Sequence, residues 1–203
     1  MSFQPVQVET GLTYLRNADS ILATVIDRVG PFTLRVHRNR FGSLVRSIIS
    51  QQISGSAARS IGLRLERLLA PERITPETLS RLNPRQLRQA GVSPQKSGYL
   101  LDLANKVLNG EVTLKGLSRR TDEEIVRDLV QVKGIGVWTA QMFLIFSLAR
   151  MDVFPHEDLG IRVALRNLYR LKDLPDKTVS YRIANRWRPY ATLASWYCWR
   201  SLD

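Results

Sequence analysis

Leu129-Val130-Gln131-Val132-Lys133-Gly134-Ile135-Gly136-Val137-Trp138-Thr139-Ala140-Gln141-Met142 decides how this chain reads. Two glycines stand between two helical patterns. Before them, Ile125, Val126, Leu129 and Val132 fall on one helical face. Thr121-Asp122-Glu123-Glu124 opens that helix as a capping box, with Thr121 at the N-cap and Glu124 three positions later. After the glycines, Trp138, Ala140, Met142, Phe143, Leu144, Ile145, Phe146 and Leu148 make a helix apolar nearly all round, which predicts central burial. Glycine lets the backbone reach φ > 0 and leaves an anion room to approach. The N–H groups opening the Val137 helix carry the positive end of its dipole, and Lys133 adds a charge beside the turn. Such a hairpin suits a phosphate. Gly-x-Gly alone reads equally as a packing turn whose glycines let two helices approach closely.

Outward from the hairpin the chain stays helical. Met1–Glu9 has no clear period, and amphipathic helices run from Leu12 to Val29, stopped by Gly30-Pro31. Phe41, Leu44, Val45, Ile48 and Ile49 repeat at helical spacing and run into Ser50-Gln51-Gln52-Ile53-Ser54. Ser54 reads as the N-cap of the next helix. Thr75-Pro76, Asn83-Pro84 and Ser93-Pro94 each set a capping side chain before proline at the first helical position. Beyond the apolar helix, Phe154-Pro155-His156-Glu157-Asp158 leads into another helix, and Lys177–Trp187 and Pro189–Leu202 read as two more. No strand pairing or fixed-period repeat stands out, so the pattern predicts an all-α globule of about ten short helices.

The 203 residues suffice for one domain or two small lobes, and a hydrophobic content of 44% supports a real core. The net charge is +12, and Gly160–Asp203 alone holds nine basic residues against three acidic ones, half of that excess. Arginine dominates there, which suits forked contacts to phosphate oxygens. A basic balance of this size points to an anionic partner, nucleic acid first among them. Cys198 is the single cysteine, so neither an internal disulfide nor a cysteine cluster can form, and His37 and His156 lack zinc-ligand spacing. No secretory signal or membrane span is read, which predicts a reducing intracellular setting: cytoplasmic beside the nucleoid in a bacterium, nuclear in a eukaryote.

The segment Val132–Ala140, the apolar helix after it and Asp158 together resemble the helix-hairpin-helix (HhH-GPD) DNA glycosylases, most closely the 3-methyladenine DNA glycosylase II type. Ile48-Ile49-Ser50-Gln51-Gln52-Ile53-Ser54 and Trp187–Arg200 extend the resemblance over roughly Phe41–Asp203. It implies two helical lobes with a central cleft: residues 36–150 carry the hairpin, and 1–35 with 151–203 form the second. The implied function is a monofunctional glycosylase that flips alkylated bases out of double-stranded DNA and hydrolyses the N-glycosidic bond, acting as a monomer. Lys133, Gly134, Gly136 and Val137 would hold phosphate. Gln51 and Gln52 would face the duplex, with Gln52 inserted into the gap, although alone they read as polar residues at a helix end.

Asp158 matches the family's catalytic carboxylate, a role compatible with capping the helix after it; Glu157 is the rival acid. Trp138 stands where family members that also cut the strand carry a Schiff-base lysine, so the resemblance implies hydrolysis by water. Trp138, Met142 and Trp199 would line the base pocket, Trp138 reading otherwise as core. Met142 and Leu159 replace aromatic residues found in relatives, which implies a more open pocket. No cofactor is required; a structural Na⁺ or K⁺ on the backbone oxygens of Val130, Val132 and Ile135 is implied by the family alone. Two alternatives stand beside this: a glycosylase for other damaged bases, and a non-catalytic hairpin module that only binds DNA.

Overall fold

The computed structural model describes residues 2–203; Met1, at the head of the stretch without a clear period, lies outside them. Among the described residues the chain forms twelve α-helices and no strand. They are α1 (Pro5–Ala18), α2 (Ser20–Val29), α3 (Arg40–Ser50), α4 (Gly55–Leu69), α5 (Pro76–Ser80), α6 (Pro84–Gln89), α7 (Pro94–Leu108), α8 (Asp122–Leu129), α9 (Val137–Leu148), α10 (Leu159–Leu168), α11 (Lys177–Ala184) and α12 (Ala191–Arg200).

Local chemistry sets most of these boundaries. Thr75, Asn83 and Thr121 form reciprocal capping boxes at the starts of α5, α6 and α8, and Ser54 and Ser93 cap α4 and α7. Two expectations need correction. Helix α1 starts at Pro5, inside the stretch that lacks an apolar period. Proline at the first helical position fixes φ there, while only Gly11 and Leu15 are buried along α1, so the apolar signal is thin. The helix expected over Lys177–Trp187 ends at Ala184 and tightens into a 3-10 turn, Asn185–Trp187, which delivers the Trp187 ring to the interior.

The chain divides into two compact units: one holds the N-terminal part up to Val36 together with Leu144–Asp203, the other His37–Phe143. The first has a core of Leu15, Leu22, Ile26, Ile161, Leu165, Trp187, Leu193 and Tyr197. Buried Asp19 ties its layers together. Its carboxylate caps α2 by accepting from the Ile21 and Leu22 N–H groups, and accepts from Trp187 Nε1 at 3.0 Å and from the Tyr169 hydroxyl. A buried carboxylate is tolerable only with such a full set of donors. Cys198 is fully buried in the same core, and burial pushes its thiol far above the ordinary range, so it is an apolar filler.

In the second unit α7 packs against α3, α5 and α6. Leu44, Ile48, Leu65, Leu79, Leu87, Leu100 and Leu103 are buried there, as are Ile125, Leu129 and Val132 around the hairpin. Helix α9, whose residues from Leu144 on belong to the first unit, is buried along Ala140, Phe143, Leu144, Ile145 and Leu148, as its apolar circumference predicts, but its first turn is not. Val137 and Trp138 are exposed there, Trp138 at 41%.

Candidate functional site

The hairpin turn is built from backbone bonds. The Val132 N–H donates to Leu129 O, and the Ile135 N–H donates to Val132 O at 3.0 Å. The Ala140 N–H then donates to Gly136 O, starting α9. Gly134 has φ +82°, a region that side-chain-bearing residues rarely enter, and a methyl group on it would overlap the Tyr99 ring. Here the glycine answers to both a turn and a close approach. Gly136, Val137 and Lys133 are exposed around this turn, while Val132 and Ile135 anchor it below. The Lys133 N–H donates to Asp102 Oδ2 at 2.8 Å.

The Gln51-Gln52 loop sits against this turn. Gln51 Nε2 donates to Gly134 O at 2.7 Å, so the amide of Gln51 is committed to the hairpin. Gln52 is exposed with φ +57°, one of three non-glycine residues in the left-handed region among those described. Such a conformation persists in a side-chain-bearing residue only where the surroundings impose it.

In the unit that includes Leu144–Asp203, Asp158 caps α10. Its Oδ1 accepts from the Ile161 N–H at 2.9 Å and from Trp199 Nε1 at 2.9 Å. Two donors converging on one oxygen fix the carboxylate's rotation, and the positive end of α10 favours its charge. Trp199 is half-buried and stacks on Phe146, with centroids 5.8 Å apart and planes 26° apart. Gly160 leaves room for this arrangement: a Cβ there would lie 3.1 Å from both Asp158 Oδ1 and Trp199 Cδ1. Gly160 and Phe146 carry no local sequence signal for such a role, because their shared neighbour Trp199 lies far along the chain from both. Glu157 is exposed beside His156, whose Nε2 lies 3.8 Å from it. Burial holds His156 below the ordinary imidazole range, Glu157 opposing and Lys177 and Arg162 reinforcing. Leu159 is 63% exposed, and Met142 is half-buried one helical turn beyond Trp138 on α9. No cluster of three or more His, Cys, Asp or Glu suited to a metal ion occurs among the described residues. No helix among them is long and apolar enough to cross a membrane.

An all-α chain with a glycine hairpin, a strained glutamine loop pinned to it and an aspartate fixed at a helix N-terminus defines a helix-hairpin-helix protein with a candidate acid. Residues 45–189 match the family described as HhH-GPD superfamily base excision DNA repair protein. DNA-3-methyladenine glycosylase 1 of Schizosaccharomyces pombe is 35% identical over 163 residues, covering 79% of this chain and 72% of the yeast protein. The Bacillus subtilis protein YfjP is 31% identical over 80% of this chain, which spans 59% of that protein's length. A solved structure of S. pombe 3-methyladenine DNA glycosylase Mag1 in complex with abasic DNA matches with a TM-score of 0.84 at 31% identity, covering 95% of this chain and 96% of that one. The chain belongs to the HhH-GPD superfamily of base excision DNA repair proteins.

Proposed function

We propose that this chain is a monofunctional DNA glycosylase of base excision repair, which releases alkylated bases of the 3-methyladenine type from double-stranded DNA by hydrolysing the N-glycosidic bond. The observation that carries this reading is Asp158, held by two N–H donors at the N-terminus of α10. The identity to a DNA-3-methyladenine glycosylase supports the choice of base.

The chemistry follows from the charges involved. An alkylated purine such as 3-methyladenine is cationic while attached to the sugar. When the C1′–N bond breaks, its electron pair goes to the base, which leaves neutral. Positive charge develops on the sugar, as in other glycoside cleavages. A fixed carboxylate stabilises that charge without reorganising. Water then bonds to C1′ and loses its proton, with Asp158 as acceptor. Trp138, exposed on the first turn of α9, offers an electron-rich face to a cationic base. It also stands in place of the lysine that strand-cutting members use.

The turn takes a phosphate through the backbone N–H groups of Gly134, Gly136 and Val137 without reading sequence, and Lys133, whose own N–H is given to Asp102, adds its side-chain charge. Gln52 is the residue that enters the stack, since the Gln51 amide is already bonded to Gly134. Carbonyl oxygens suit a hard monovalent cation. Val130, Val132 and Ile135 would hold Na⁺ or K⁺ at the turn, Val132 O keeping a lone pair beyond its bond to the Ile135 N–H. The protein works as a monomer.

Borohydride trapping on duplex DNA with one alkylated base tests the hydrolytic claim. Free base should appear with no covalent adduct, and an adduct would contradict it. Trp199 supports Asp158 in this scheme. Trp199→Phe keeps a ring to stack on Phe146 but removes the N–H to Asp158. The single-turnover rate should fall about tenfold, the worth of one hydrogen bond to a charged group, with little change in duplex affinity. An unchanged rate would show that Trp199 does not set the acid's position.

A further inference from the structure

We infer that Lys96, on a face of α7 that braces the glutamine loop and the hairpin together, is a positioning residue for base extrusion. This rests on the glycosylase reading above.

The bracing is a chain of direct contacts. Lys96 Nζ donates to Ile49 O at 2.7 Å and to Gln51 O at 2.6 Å. These are carbonyls at the C-terminal end of α3, which has no basic residue in its last turn. A helix end leaves its last carbonyls without intrahelical partners, and a cation there also answers the negative end of the dipole. Lys96 supplies both functions from a distant helix. Its second acceptor belongs to the residue just before Gln52, whose φ of +57° needs an imposed conformation. The Gln51 side chain meanwhile reaches Gly134 O.

The same face of α7 holds the other side of the junction. Tyr99 and Asp102 follow Lys96 at successive intervals of three, which places them along one face. The Tyr99 ring fills the space over Gly134, and Asp102 Oδ2 accepts from the Lys133 N–H. One rigid helix therefore fixes the loop that would enter the stack relative to the turn that would grip the backbone. Burial lowers the Lys96 ammonium below the ordinary lysine range, as expected for a group drawn from water to reach two carbonyls. The function of such a brace is preorganisation: the inserting residue is aimed before DNA arrives, so binding need not order it.

The role predicts a separation of binding from extrusion. The hairpin's phosphate contacts should survive loss of Lys96, whereas insertion of Gln52 should not. The test uses duplex DNA with a single ethenoadenine flanked by 2-aminopurine, whose fluorescence rises when its neighbour leaves the stack. Fluorescence anisotropy measures affinity on the same duplex. At saturating protein, Lys96→Met should reduce the fluorescence rise and the single-turnover rate about tenfold, with affinity changed less than about threefold. Lys96→Arg, which can still donate to both carbonyls, should recover most of the rise. Gln51→Ala, which cuts the second tie, should resemble Lys96→Met, and it keeps the test decisive if Lys96→Met folds poorly. An unchanged rise in Lys96→Met and Gln51→Ala, or a fall that tracks lost affinity, would overturn the inference. Wild-type protein that binds this duplex and methylated duplexes but releases no base from either would instead overturn the glycosylase reading, and the inference with it.

Discussion

Asp158→Asn should lower the rate of base release by about a thousandfold or more while leaving the fold intact. The asparagine side-chain oxygen can still accept from the Ile161 N–H and from Trp199 Nε1, and asparagine is as good an N-cap as aspartate. The negative charge is removed, and the second carboxylate oxygen becomes an NH2 donor. A melting temperature within about 1 °C of wild type would show that α10 remains capped, since loss of a cap would cost about 1 kcal/mol, or about 2–4 °C in a chain of this size. The rate loss then reports the electrostatic stabilisation of the sugar cation. Single-turnover release from methylated duplex DNA, measured beside thermal unfolding, separates the two effects. A variant that releases base at the wild-type rate would leave Asp158 as a cap alone and place the chemistry on another group.

Gly134→Ala should damage stability and DNA affinity together. Alanine at φ +82° carries a backbone penalty of about 1–2 kcal/mol. Its methyl group must also displace the Tyr99 ring, and overpacking of that kind costs about 1–3 kcal/mol. The turn cannot move without disturbing the Lys133 N–H bond to Asp102 and the Gln51 bond to Gly134 O. Duplex affinity should therefore fall about tenfold or more even below the melting transition, because the N–H groups around the turn lose their shared aim. The pair Tyr99→Ala with Gly134→Ala should recover the steric part and retain the backbone part. Wild-type affinity in Gly134→Ala would show that the turn does not hold the backbone of DNA.

What could be read from the residues was the chemistry that acts over a few positions. Thr75, Asn83, Ser93 and Thr121 announce helix starts because a cap bonds to backbone only three residues away. The glycines at 134 and 136 announce a turn for the same local reason. The first half of helix α1 escaped because Val6 and its neighbours face outward and leave no apolar stripe to read. The exposure of Trp138 escaped for the opposite reason: a helix apolar on every side does not say which turn emerges from the core. The bracing contacts were beyond reach altogether. Lys96 meets Ile49 across 47 positions, and Trp199 meets Asp158 across 41. No periodicity links residues so far apart. Gly160 looks like a weak point in α10 until the Trp199 ring is seen against it.

The most direct test of the enzymatic claim is the fate of duplex DNA methylated on its purines after incubation with the wild-type protein. Free 3-methyladenine should appear in solution, while the strand stays intact until alkali cleaves it at the abasic site. Retention of every methylated base on DNA that the protein nevertheless binds would contradict the claim.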